Sequence, residues 1–224
     1  MNIVYDNIRV YKECFNYDVK IYISRITTIQ ASLRPLSYLD LADDDLIELL
    51  TKWRKENYDA YPSQFNVTVE RTRRWLAKYV LKAENKVLFL LEDLDKRKIG
   101  HMGMANYDPD KKRIEMDNIV RGNKESIHKG IMTNALYDLI SWTFLSFPIE
   151  SVFLRVFKDN SRAISLYERL KFAETKLIPL KRIETKDEVK FIEIDESIEA
   201  DRYFSLMELK KNDHFSNYSV KFGE

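Results

Sequence analysis

Apolar positions along this chain change period several times, and each change predicts an element. Residues 1–30 alternate aromatic, β-branched and polar side chains, with Val19, Ile21 and Ile23 in step, which predicts a strand or hairpin ahead of the main domain. Ser32 to Leu36 reads as a short strand stopped by Pro35 and Ser37. From Asp40 to Asn57 the spacing of Leu41, Leu46, Leu49, Leu50 and Trp53 is helical. Thr68 is an N-cap for a second helix, with Glu70 in its first turn and Trp75, Leu76, Tyr79 and Val80 on one face. Strands follow at Val87 to Leu91, Ile99 to Tyr107 and Arg113 to Val120, joined by charged or Asp-Pro turns as an antiparallel meander. After a polar loop from Arg121 to Lys129, a strongly amphipathic helix runs from Gly130 to Phe147 and is stopped by Pro148. Val152 to Phe157 is an apolar strand, and Asp159 or Asn160 caps a short helix through Leu170. Strand, helix, strand with such short connections reads as a crossover onto a parallel neighbour. Phe172 to Leu180 and Arg202 to Leu209 are the last two strands, separated by a charged excursion from Lys181 to Glu199.

Composition narrows the function classes. The 224 residues carry a formal net charge of +1, so no global basic field attracts nucleic acid or an anionic membrane. A single cysteine, Cys14, excludes an internal disulfide framework and suits a reducing, cytoplasmic setting. His101, His128 and His214 are far apart and give no metal-ligand spacing. The N-terminus lacks a signal-peptide pattern, and no apolar run reaches the roughly 20 residues of a membrane span. Four of the five glycines, Gly100, Gly103, Gly122 and Gly130, fall between residues 100 and 130. Gly130 opens the long helix. Free backbone N–H groups at such a terminus favour a phosphate or pyrophosphate, and Lys129 adds positive charge; a plain strand-to-helix turn would use glycine in the same place.

The run from Leu154 to Phe172 resembles a diagnostic stretch of the GCN5-related N-acetyltransferase (GNAT) family. An apolar strand is followed by Asn160, then Ala163 three residues on, Tyr167 four further, and Phe172 at the next strand, with Lys171 where the family has glycine. Lys129-Gly130-Ile131-Met132 is similar to the family's acyl-CoA pyrophosphate turn, although Glu125 and His128 replace its usual first and fourth residues and the loop is longer. The resemblance spans roughly residues 30–210 and implies a mixed, mostly antiparallel sheet flanked by helices. The expected organisation is an extension over 1–30, the acetyltransferase domain over 31–210 and a tail over 211–224.

The resemblance also implies acetyl-CoA as acyl donor, attacked directly by an acceptor amine, with no metal. Glu115 and Asp117 share a face of their strand by period two, and as the family's base candidates they would act directly or through water; two solvated acids on an exposed face fit the same spacing. Tyr167 matches the tyrosine that protonates the departing thiolate, and it would also serve as packing between helix and sheet. Backbone groups of Ile119 and Val120 would meet the thioester or pantetheine arm. Arg121 would supply charge to the altered turn and Gly122 would shape the approach to it. Asn160 would contact the cofactor, cap its helix, or both.

Lys52 to Asn57 resembles in part the Trp-Arg-Asn element of acetyltransferases acting on nucleotide-linked amino sugars. Trp53 and Arg54 are therefore candidates for acceptor binding, Trp53 also for the core. A small-molecule amine on a sugar nucleotide of surface-glycan biosynthesis is the first acceptor expected. A protein N-terminus is the second, and a non-catalytic acyl-CoA-binding or protein-interaction domain is the third possibility. For residues 1–30 and 181–200, capping of a sheet edge and formation of a homodimer both remain open.

Overall fold

The computed structural model describes residues 3–13, 20–25, 28–122 and 130–216. In chain order the elements are α1 (Ile3–Glu13), β1 (Ile21–Arg25), β2 (Thr28–Pro35), α2 (Asp44–Glu56), β3 (Ser63–Phe65), α3 (Val69–Trp75), β4 (Lys86–Asp93), β5 (Lys98–Asp108) and β6 (Arg113–Arg121). There follow α4 (Ile131–Ser146), β7 (Ser151–Phe157), α5 (Ser161–Arg169), β8 (Ala173–Glu184), β9 (Glu188–Glu193), β10 (Arg202–Lys210) and α6 (Lys211–Ser216). The strands form one sheet in the order β1-β2-β4-β5-β6-β7-β10-β8-β9-β3. Every neighbouring pair is antiparallel except β6 and β7.

Side-chain alternation along β4 sets the layers. Val87, Phe89 and Leu91 pack with α1 and α4 on one face, whereas Leu88 and Leu90 pack on the other with α2 and with Leu76, Val80 and Leu81 of the helical turn over Leu76–Leu81 that continues α3. The α4 stripe of Ile131, Met132, Ala135, Leu136, Leu139, Ile140 and Phe144 is buried, and each large apolar side chain contributes about 1.5–3 kcal/mol. That burial fixes where the N-terminus of α4 points. The caps are local: Asp43 accepts from the Leu46 amide at 2.9 Å, Thr68 from Arg71 at 3.2 Å and Asn160 from Ala163 at 3.2 Å. Helix α2 therefore starts later than Asp40, after a 3-10 turn over Tyr38–Ala42.

Two expectations are corrected. Residues 3–13 are helical rather than extended, because Val4 and Ile8 recur at helical spacing and are completely buried against the sheet. The charged excursion after Leu180 is largely sheet: β8 continues to Glu184 and returns as β9, which pairs with β3 from the N-terminal half. Phe191 of β9 packs edge-on to Phe157 at 5.5 Å, which anchors the hairpin. The direct parallel crossover is β6–α4–β7. Strands β7 and β8 also run the same way, but β10 is inserted between them.

Candidate acetyl-transfer site

The one parallel pair is also where the sheet opens. β6 and β7 pair only from Arg113 to Glu115 against Ser151 to Phe153. Beyond this they diverge, and a cavity of about 460 Å³ lies between Glu115–Arg121 of β6, Leu154–Val156 of β7, Gly130–Thr133 at the start of α4 and Asn160, Ala163, Leu166 and Tyr167 around α5. Register along β5 explains the shape of the β6 wall. Asp117 is opposite Gly103 and Val120 opposite His101, so Asn118 and Ile119 together face Met102. Asn118 takes φ +52°, a left-handed conformation that asparagine tolerates, and the resulting bulge leaves ladder positions unpaired toward the cavity. At the other wall Gly130 is the N-cap of α4 with φ +87°, and a Cβ there would meet nothing within 4 Å. Glycine is needed at Gly130 for its backbone angle, and the free N–H groups of the first α4 turn face the cavity.

A second cavity, about 910 Å³, lies on the other side of β6. It is lined by Arg54 of α2, Phe65 of β3, Arg71 and Trp75 of α3, His101 of β5 and the β8–β9 turn with Asp187 and Glu188. Tyr61, Pro62, Asp117 and Asn118 line both cavities, so the two spaces meet at Asp117.

The two carboxylates of β6 differ sharply. Glu115 is 5 % exposed; Arg155 holds it through Nε–Oε1 at 2.9 Å and Nη2–Oε2 at 3.2 Å, and Asn106 Nδ2 donates to Oε2 at 2.5 Å. Arg155 also reaches Glu193 of β9 at 2.8 Å, so this network ties together β6, β7 and the returning hairpin. Glu115 also lines the first cavity, but both of its oxygens are taken, which favours a structural role for it over the expected one as base. Asp117 has both Lys86 Nζ and Asn118 Nδ2 on one oxygen, Oδ2, each at 2.7 Å. Among the described residues Oδ1 has no partner and remains available at the junction.

Tyr167 is buried against Phe172 and lines the first cavity; burial, with the nearby Asp117 charge, pushes its phenol well above the usual tyrosine range and keeps it protonated. Tyr61 is pushed up to about 12 by burial, offset in part by Arg54, whose guanidinium lies 3.2 Å from its ring centroid. Arg54 also donates to the Ser63 carbonyl at 2.7 Å.

Ile119, Val120, Arg121, Gly130, Ile131, Met132, Asn160 and Ala163 all line the first cavity, and Arg54 the second. Lys129, Glu125 and His128 lie outside the described residues. Trp53 is 1 % exposed and lines neither cavity, so it is core and not an acceptor platform. Gly122 is likewise corrected: a Cβ there would come within 1.9 Å of the Trp53 indole, so its small size serves core packing rather than the approach to a phosphate. Tyr61, His101, Arg71 and Arg155 were not anticipated. Arg155 falls within the Leu154 to Phe172 run but at none of its matching positions, and the other three sit in no motif, so residue type was their only sequence signal. Among the described residues there is no cluster of three metal-ligating side chains and no helix long and apolar enough to cross a membrane.

A profile of the acetyltransferase (GNAT) domain matches residues 32–173, and the chain belongs to this family of N-acetyltransferases, which use acetyl-CoA. Similar solved structures share its fold at low identity. One is RimL, a ribosomal α-N-protein acetyltransferase in complex with coenzyme A (14 % identity, 87 % of this chain, 99 % of that one, TM-score 0.64). Another is FdhC, described as a nucleotide-linked sugar GNAT (13 %, 86 % and 93 %, 0.61). A third is the spermidine N-acetyltransferase of Vibrio cholerae in complex with CoA and spermine (17 %, 83 % and 98 %, 0.56). No curated protein matches the sequence.

Proposed function

We propose that this chain acetylates the primary amine of a nucleotide-linked amino sugar, with acetyl-CoA in the splayed β6–β7 cleft and the acceptor in the second cavity. The observation that carries this reading is the charge of the acceptor cavity. Arg54 and Arg71 flank the Phe65 ring at 5.5 and 5.2 Å, and among the described residues neither has a carboxylate partner. Burial lowers the pKa of Arg54 from its ordinary value, with Tyr61 and Tyr58 offsetting only part of the shift. An acceptor bearing phosphates supplies the compensating charge while its amine reaches Asp117. A polyamine or a bare peptide N-terminus could face Asp117, Asp187 and Glu188 in the same cavity but would leave Arg54 and Arg71 without a carboxylate or phosphate partner. The volume of about 910 Å³ falls in the upper part of the range for small-molecule sites.

When bound, acetyl-CoA supplies an activated acyl carbon. The α4 N-terminus around Gly130, with Arg121 nearby, suits its phosphates, and the bulge at Asn118–Ile119 offers backbone groups to the arm or thioester. Asp117 Oδ1 takes a proton from the acceptor amine, oriented by the two donors on Oδ2. Tyr167, held protonated by burial, would give its proton to the departing sulfur and regain one from the second N–H that the nitrogen loses as the amide forms. A cytoplasmic location goes with this proposal, since acetyl-CoA is its donor.

The test is a release assay for CoA thiol with UDP- and dTDP-linked amino sugars, peptides and spermidine as acceptors. Arg54→Gln raises KM for the sugar nucleotide about tenfold or more, the worth of a charge-assisted hydrogen bond, and leaves KM for acetyl-CoA unchanged. Turnover of peptides or spermidine with none of the sugar nucleotides would overturn the reading.

A further inference from the structure

His101 is a buried titratable group with no part in the chemistry above. It lies on β5 opposite Val120, directly behind the bulge, and its Nδ1 is 2.7 Å from the Asn118 carbonyl oxygen. A carbonyl only accepts, so Nδ1 carries the proton and Nε2 presents a lone pair. The imidazole is 3 % exposed and lines the acceptor cavity. Among the described residues Nε2 has no partner, and the sole fully buried side-chain nitrogen or oxygen without one is Arg113 Nε. Nε2 is therefore not sealed in the core, and the cavity is the space it reaches. The Trp53 ring packs against the imidazole at 6.0 Å and is itself wedged over Gly122, so indole and bulge together fix the ring.

We propose that His101 Nε2 accepts a hydrogen bond from the acceptor amine beside Asp117 and thereby orients it. This rests on the reading that the second cavity holds the acceptor. Once an ammonium has given one proton to Asp117 it keeps two N–H groups and one lone pair. One N–H donates to His101 Nε2, and because Asp117 Oδ2 is already taken and Oδ1 now carries the proton, this bond is what holds the neutral amine in place while its lone pair turns to the donor cleft. Burial pushes the imidazole down to about 4, with the Asn118 carbonyl and Asp117 offsetting only part. The ring thus stays a neutral acceptor at neutral pH and is too weak to be the base itself.

The chain has three histidines, so 15N-histidine labelling distinguishes them readily. In the CoA-bound protein the Nε2 signal of His101 has the unprotonated position at neutral pH. Added n-propylamine, used as the probe, shifts it without moving His214. A His101 Nε2 that is already protonated, or that ignores the amine, overturns the proposal. His101→Asn keeps an amide donor for the Asn118 carbonyl and removes Nε2. Its kcat/KM for the sugar nucleotide falls about tenfold or more with KM for acetyl-CoA unchanged. Wild-type kcat/KM in the folded variant, or an equal loss of CoA affinity, overturns the proposal, and should that variant not fold, the wild-type NMR titration decides. If n-propylamine shifts Nε2 while no sugar nucleotide is turned over, the sugar reading falls and the assignment of His101 stands.

Discussion

Glu115→Gln separates structure from chemistry on β6. The substitution leaves shape and one acceptor but removes the charge that Arg155 grips in two places. Removing one partner of a buried ion pair costs about 3–5 kcal/mol. Here the Arg155 side chain is 36 % exposed and keeps Glu193 at 2.8 Å, so solvent and the second carboxylate reduce the loss to about 2 kcal/mol. For a chain of this size that lowers Tm by about 4–8 °C. Circular dichroism melting reads the shift, and CoA release measured well below Tm reads activity. The expected result is a lowered Tm with kcat within about threefold of wild type, whereas loss of a general base costs about 10²–10⁴-fold. Asp117→Asn shows the reverse: kcat falls about a hundredfold or more, with little change in Tm. A Glu115→Gln protein with unchanged Tm and collapsed kcat would refute the assignment of Glu115 as a structural anion.

Other consequences follow from the same geometry. Gly130→Ala meets no steric obstacle but must hold φ +87°, which costs about 1–2 kcal/mol; calorimetry should show weakened CoA binding, and wild-type affinity would count against the α4 N-terminus as the phosphate site. Gly122→Ala drives a methyl into the Trp53 indole, so melting should drop by several degrees even without ligand, and an unchanged Tm would contradict the packing described. His101 and His214 are both pushed by burial to about 4 from an ordinary 6.5. The unfolded chain therefore binds more protons between those values: stability is full above about pH 6.5 and falls as pH drops toward 4, by at most about 3 kcal/mol per histidine. Melting between pH 7 and pH 5 measures this slope, which His214→Gln should roughly halve.

Much of the architecture was legible in the chain. The apolar runs of β4 and β7, period 3.6 in α2 and α4, and the caps at Thr68 and Asn160 are local signals, set by which side chains can be buried and which amides need a partner. The ordered set Asn160, Ala163 and Tyr167 marked the donor side because it lies on one short helix whose spacing is itself the geometry. What local pattern could not reveal was pairing at a distance. Glu115 and Asp117 are equivalent by periodicity, and Arg155, on a strand forty residues later, makes one of them structural. Trp53 and Gly122 each read as functional candidates until the tertiary fold pressed one against the other. The return of β9 onto β3 encloses the acceptor cavity with residues from both halves of the chain, a closure that no single stretch encodes. Side-chain periodicity thus determined the elements and the family's motif. Long-range packing decided which carboxylate is free, which tryptophan is core and where the two cavities meet, because burial and charge compensation depend on neighbours that sequence distance conceals.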